Sequence, residues 1–326
     1  MASFISSYRT LLEEGELKNR VQAAYLTLTH CTGCAWKCGA DRLHGKKGAC
    51  LTGLRAQVSS YGPHHGEENP LSGWRGSGTI FFTRCNLRCQ YCQNYDISQG
   101  KDSEEIEPED LAEIMLELQE MGCHNINLVS PSHVVPQIIA ATSIAAMAGL
   151  NLPIVFNTGG YDSLEALNLL NGIIDIYMPD MKYMDPDKAA KYSAGASDYP
   201  ELTKKAIIEM NRQVGELQID KKGIAFRGVI IRHLVMPNRV AGTEKFVKWV
   251  AEALPKSTYL NIMPQYRVEY KAYEYPEIAR GITVQEFLEA MDWAKKYGLT
   301  NLDPNSVAVR DFYLQRESDR VPFKGD

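Results

Sequence analysis

The sequence predicts an α/β fold built on a mostly parallel sheet. Three observations lead there. Six segments rich in β-branched and aromatic residues are each followed by a stretch of helical pattern. The composition, 44% hydrophobic and 23% charged over 326 residues, is that of a chain that buries a core; it excludes disorder, collagen and long coiled coil. Polar residues also gather just past the predicted strand ends, where such folds put their chemistry.

Residues 3–27 read as one amphipathic helix, with Tyr8, Leu11, Leu12, Leu17 and Val21 as its apolar positions. Residues 30–55 form a knot rich in cysteine and glycine. Residues 56–76 read as loop, with Gly62-Pro63, Asn69-Pro70 and Gly73 as turn signals. From there strands alternate with helices. The strands are expected at 78–83, 125–129, 153–157, 173–178, 228–235 and 258–263. The helices are expected at 108–121, 134–148, 163–170, between 185 and 215, at 243–254 and at 283–297. Right-handed crossovers would make the sheet parallel. The chain divides into a cysteine-bearing extension, 1–76, and a main domain, 77–326. Alternation and length leave a doubly wound sheet and a barrel both open.

Lysine and arginine total 35 against 40 acidic residues, a net charge of −5. No basic excess advertises a nucleic-acid partner. The longest apolar run, 138–150, is interrupted by Thr142 and Ser143 and is too short to span a bilayer. The first twenty residues hold Glu13, Glu14 and Glu16 and no apolar signal stretch. The expectation is a cytoplasmic protein without a membrane partner. Thiols stay reduced there, so the eight cysteines need a role other than disulfides.

Seven of them fall in two sets. Cys123, at a predicted helix end, reads as a small buried residue. Cys85, Cys89 and Cys92 make a C-x3-C-x2-C pattern directly after the 78–83 strand. Three thiolates so close can converge on one metal centre and leave one position open. A zinc knuckle with a borrowed fourth ligand, or three reduced core cysteines, are the competing readings. Cys31, Cys34, Cys38 and Cys50 make a C-x2-C-x3-C-x11-C pattern among glycines. Four thiolates suit a zinc ion, a single iron or an auxiliary iron–sulfur cluster, and the spacing does not distinguish them. A structural metal is the preferred reading, because a small glycine-rich knot lacks a core of its own. His30 and His44 flank this set.

The triplet, with Tyr91 before its last cysteine, resembles the signature of the radical S-adenosylmethionine (SAM) enzymes. The stretch from Phe81 to Tyr95 is similar to the pyruvate formate-lyase activating-enzyme branch, in particular to its PflX-type homologues. So are Gly62–Glu68, Asn157–Tyr161, Asp180-Met181-Lys182 and Ile231–Val235. The resemblance covers roughly residues 25–310 and implies a partial (β/α)6 TIM-like barrel. It further implies that Cys85, Cys89 and Cys92 hold a [4Fe-4S] cluster whose fourth iron is chelated by SAM. Reduction then splits SAM to a 5′-deoxyadenosyl radical that takes hydrogen from the substrate. Tyr91 would lie near the adenine.

The strand ends supply the remaining SAM-binding candidates. Ser130-Pro131-Ser132-His133 stands where many of these enzymes carry Gly-Gly-Glu, so Ser130, Ser132 or a backbone carbonyl would substitute. His133 either faces the substrate or begins the next helix. Asn157 and Thr158 take the place of an Asp-Thr pair. Lys182 is a point cation suited to a carboxylate, and Asp180 to a monovalent cation or the ribose. Arg232 and His233 must point to opposite faces of their strand, and Arg232 is favoured for the interior. Tyr266 is a candidate for contact with cofactor or substrate, or for a radical relay. The four-cysteine set has no counterpart at this place in the activating enzymes.

The implied function is hydrogen abstraction from a polypeptide, with a glycine in a partner enzyme as target and flavodoxin or ferredoxin as electron donor. The alternatives are modification of a peptide side chain or small metabolite and, from another class, a non-catalytic metal-binding module.

Overall fold

The computed structural model describes residues 4–100 and 103–318. The strands are β1 (Ala56–His64), β2 (Ser77–Phe82), β3 (Glu105–Ile106), β4 (Ile126–Val129), β5 (Ile154–Thr158), β6 (Ile176–Pro179), β7 (Gln218–Ile219), β8 (Ala225–Leu234) and β9 (Tyr259–Met263). They form one sheet in the order β3-β1-β2-β4-β5-β6-β8-β7, with β9 also on β8. All six expected strands are present as β2, β4, β5, β6, β8 and β9, and each neighbouring pair of them is parallel. The sheet curves but does not close. It is a partial barrel.

Period two sorts the side chains of each strand. Val155, Ile176, Met178, Ile230 and Tyr259 share one apolar cluster with Leu71. Leu71 belongs to the short helix Asn69–Ser72, whose Leu71 carbonyl accepts a bond from Asn125 Nδ2 at 2.9 Å. This plug fills the amino-terminal end of the barrel. Two residues further along each strand the same face turns polar, at Asn157, Asp180, Arg232 and Asn261. An apolar floor under a polar mouth follows from the strand sequences alone.

The outer face is covered by helices. The helix Val135–Met147 is buried along nearly its whole length. Helices Ser7–Glu13 and Glu16–Leu26 and the helix Pro108–Glu120 pack against it. This accounts for the apolar run at 138–150: a helix apolar all round is buried in protein here. No helix among the described residues is long and apolar enough to cross a membrane.

Three expectations need correction. The single helix at 3–27 is two helices, broken at Gly15, whose φ of 74° is left-handed. The loop assigned to 56–76 contains β1, paired antiparallel to β2. Its Gly62-Pro63 reads as a turn, yet proline is tolerated on a strand near the sheet edge. The helix Pro304–Ser318 was also not anticipated.

One glycine sets how closely the strand ends approach. Gly160, after β5, has φ 85°, and a Cβ there would stand 2.3 Å from the Asp180 carbonyl oxygen. Gly160→Ala is expected to cost roughly 1–3 kcal/mol. The measurement is the urea midpoint, which should fall at unchanged m-value.

Candidate active site

The loop after β2 carries the cysteine triplet. Arg84 and Arg88 take left-handed backbone, φ 72° and 48°, and curl the chain around the thiols. Each sulfur has a polar partner. Leu87 N–H donates to Cys85 Sγ at 3.4 Å. Cys89 Sγ lies 3.1 Å from Ser193 Oγ, and Cys92 Sγ lies 3.2 Å from Ser98 Oγ. Burial pushes the Cys85 thiol up and the Cys89 thiol up to about 12, with Lys182 pulling the latter back. Free, the Cys85 and Cys89 thiols would stay protonated; a bound metal would make the triplet thiolates.

A cavity of about 400 Å³ opens beside these thiols, within the usual size of a small-molecule site. Cys85, Cys89, Cys92 and Tyr91 form one wall. Ser130, Asn157, Thr158, Asp180, Lys182 and Arg232, all at strand ends, form the facing wall. Residues up to 147 positions apart thus meet because parallel strands all end at one rim.

The facing wall is an ion network. Asp180 and Arg232 are opposite one another across neighbouring parallel strands. Arg232 Nε donates to Asp180 Oδ1 at 2.8 Å, and Arg232 Nη2 to Asn157 Oδ1 at 2.6 Å. Lys182 Nζ donates to Asp180 Oδ2 at 2.6 Å. Burial would raise the Asp180 pKa, but the charges of Arg232 and Lys182 outweigh it and hold the carboxyl below its usual value. Glu67 completes the wall, 3.6 Å from Arg232 Nη1. Burial pushes its carboxyl up to about 7, opposed by Arg232 and reinforced by Glu68. Glu68, buried beside it, also acts on Arg232, so the two cations of this wall are shared among Asp180, Glu68 and Glu67.

The family profile described as the Radical SAM superfamily matches residues 79–215. The uncharacterized protein MJ0674 of Methanocaldococcus jannaschii is 32% identical over 291 residues, which cover 86% of this chain and 78% of the relative. The chain belongs to the radical SAM superfamily. Among solved structures, methylornithine synthase (PylB) aligns with a TM-score of 0.46 and 14% identity, covering 96% of this chain and 81% of that one.

A radical SAM protein implies a [4Fe-4S] cluster and SAM, and the residues present fit them. Among the described residues no three ligating side chains converge on a single metal ion. In a cubane each thiolate ligates its own iron, so the sulfurs stand further apart than the ligands of one ion. The N–H and O–H partners on the three sulfurs are those that stabilise cluster thiolates. The cavity beside them is lined by polar and charged side chains.

Several expectations change. Ser132 does not line the cavity; its hydroxyl lies 2.9 Å from Thr158 Oγ1, which donates to Asp162 Oδ2 at 2.7 Å. The cavity therefore meets Thr158 directly and Ser132 only through it. Lys182 and Asp180, expected to act as separate charges, neutralise each other. His133 is buried, with Nε2 2.9 Å from the Thr83 carbonyl. His233 points to the helix side and stacks on Phe246 at 4.3 Å, as Arg232 faces the cavity. Tyr266 sits behind Tyr91 and gives its hydroxyl to the Ile278 carbonyl. Glu67 was missed. It lies on the loop just past β1, a strand the sequence reading took for loop, and the acid pair in Gly62–Glu68 was its only signal.

Two measurements test the wall. Asp180→Asn leaves two cations facing each other and should cost roughly 2–3 kcal/mol in urea unfolding, less than a fully dry pair because the cavity wets Lys182. For Glu67, the folded state keeps a proton that the unfolded chain releases near the ordinary carboxylate value. Its stabilisation is full below about pH 4.5 and is lost as pH rises through about 7. Glu67→Gln should flatten that part of the stability–pH curve by up to roughly 3 kcal/mol.

Proposed function

We propose that this radical SAM protein acts on a polypeptide and removes a hydrogen atom from a glycine Cα of a partner enzyme. The observation that carries the reading is the cavity rim. Gln93, Asn94 and Gln265 line it and are exposed, and Gln93 Nε2 donates to the Gln265 carbonyl at 3.0 Å. Side-chain amides both donate and accept, which matches the hydrogen-bonding edge of a peptide backbone. The similarity of the triplet loop and of Asp180-Met181-Lys182 to the activating enzymes and their PflX-type homologues supports it.

In this reading Cys85, Cys89 and Cys92 hold the cluster. Tyr91, Ser130, Asn157, Thr158, Asp180, Lys182 and Arg232 receive SAM. Once bound, these groups supply one-electron cleavage of a carbon–sulfur bond and hydrogen abstraction. The protein's own part is orientation and exclusion. Lys182 and Arg232 offer N–H donors to a carboxylate, and Asp180 keeps both aimed inward. The buried Tyr91 ring, 5.9 Å from Tyr266 and 6.2 Å from Tyr183, walls off water. Flavodoxin or ferredoxin would supply the electron.

A second reading keeps the chemistry and takes a small zwitterionic metabolite or a peptide side chain. It is favoured by Glu67 and Arg232, which place a carboxyl and a guanidinium side by side on one wall. The test uses reduced, cluster-loaded protein, SAM and a polypeptide carrying α-deuterated glycine. The expected result is 5′-deoxyadenosine that contains deuterium, falling to background with Cys89→Ala. Cleavage without deuterium transfer favours the second reading, and no cleavage above the Cys89→Ala control refutes the radical chemistry.

A further inference from the structure

The four cysteines ahead of the sheet take no part in the cavity. Cys31, Cys34 and Cys50 are buried, and Cys38 is exposed. The Cys34 thiol faces Cys50, Cys31 and the side chain of Asn86. Cys38 packs so closely on Gly48 that a Cβ there would stand 2.2 Å from its sulfur. Gly48 is two residues ahead of Cys50. Cys31, Cys34 and Cys50 are thus neighbours, Cys38 packs on the turn that leads to Cys50, and none is in a disulfide; as in the triplet, no three of them converge on the position of a single ion.

Arg42 is the second observation. Its side chain is among the largest fully buried ones in the protein, at 1% exposure. Nε donates to the Gly53 carbonyl and Nη1 to the His133 carbonyl, both at 2.9 Å. Nη1 also lies 3.8 Å from Cys31 Sγ. Nη2 has no partner. A guanidinium is always charged, and a buried charge without a counter-charge is costly. Two carbonyls supply dipoles but no charge. Neutral thiols supply none either. Metal-bound thiolates would: four of them on a metal centre of charge +2 carry a net charge of about −2.

We propose that Cys31, Cys34, Cys38 and Cys50 form a second metal–thiolate centre, with Arg42 as its buried counter-cation. The centre lies against the back of the triplet loop. Trp36, between Cys34 and Cys38, donates from Nε1 to the Asn86 carbonyl at 2.7 Å. The Asn86 side chain donates to the Tyr161 carbonyl at 2.8 Å, and its Oδ1 lies 3.9 Å from Cys85 Sγ. A metal that orders the knot thus also braces the residue next to Cys85. The exposed Cys38 is the ligand that closes the site.

The proposal does not depend on the radical chemistry, and its test omits it. The full chain carrying Cys85→Ala, Cys89→Ala and Cys92→Ala is loaded without oxygen, with ferrous iron and sulfide in one arm and zinc in the other. Iron, sulfide and zinc are then counted per chain. Retained iron with sulfide identifies a cluster, and retained zinc or iron without sulfide a single ion. Either supports the centre, provided that further Cys34→Ala and Cys50→Ala substitutions abolish it. Arg42→Gln in the same background should weaken metal retention by about tenfold, and Arg42→Lys should recover part of it. A folded triplet variant that holds no metal overturns the proposal, as does retention that survives loss of Cys34 and Cys50. Should the triplet variant not fold, the unsubstituted chain decides: metal beyond about four irons per chain supports the centre, and no more than that overturns it.

Discussion

Asp180, gripped by Arg232 on one side and Lys182 on the other, is the interaction around which the cavity is organised. The β6–β8 register sets Ile176 against Gly228, and at the strand ends the isolated bridge then puts Asp180 beside Arg232. The carboxylate is needed because two cations project into one half-buried space. Without it they would repel each other or draw in water. The pair also fixes Asn157, which receives the other arm of Arg232. Three strand ends are thereby tied at the height of the cysteine loop. The apolar plug at Leu71 lies at the opposite end, so the polar network stands on a floor that does not compete for water.

The six parallel strands were legible because they are buried on both faces and read as β-branched and aromatic runs. The pattern was weaker where the chain lies at the sheet edge. β1 carries Ser59, Ser60 and the Gly62-Pro63 pair, and its exposed outer residues leave no apolar run to find. The triplet was legible for a different reason: three ligands from one loop must be close in sequence. The opposite wall was partly legible, since a residue two positions past an apolar strand residue points the same way. That rule finds Asn157, Asp180 and Arg232. It does not find Glu67, which arrives from a loop, nor does it separate Ser130 from Ser132, where the chain leaves the strand and alternation ends. The pairing of Lys182 with Asp180 also escaped it, since only the folded geometry shows two neighbours sharing a cavity.

Two cysteine sets within the first hundred residues share a neighbour in Asn86. Its backbone carbonyl takes the Trp36 indole and its side chain reaches the Tyr161 carbonyl and the Cys85 sulfur. The amino-terminal knot is therefore packed into the support of the cavity wall. A ring series runs the same way: Trp36 meets Tyr161 edge-on at 5.4 Å, and Tyr161 stacks with Tyr199 at 6.0 Å. Such a rigid aromatic wall limits how far the triplet loop can shift when ligands enter.

The helix Val135–Met147, apolar on all sides, has a bearing on how the protein is made. Its cover comes from the beginning of the chain: Ser6 Oγ reaches the Asn151 carbonyl across 145 positions, and Arg9 reaches Ala146 across 137. During synthesis the first helices leave the ribosome long before the surface they must shield exists. Until both are present, each leaves an apolar face uncovered. Docking of these helices is thus a long-range closure that needs both segments of the chain to be present.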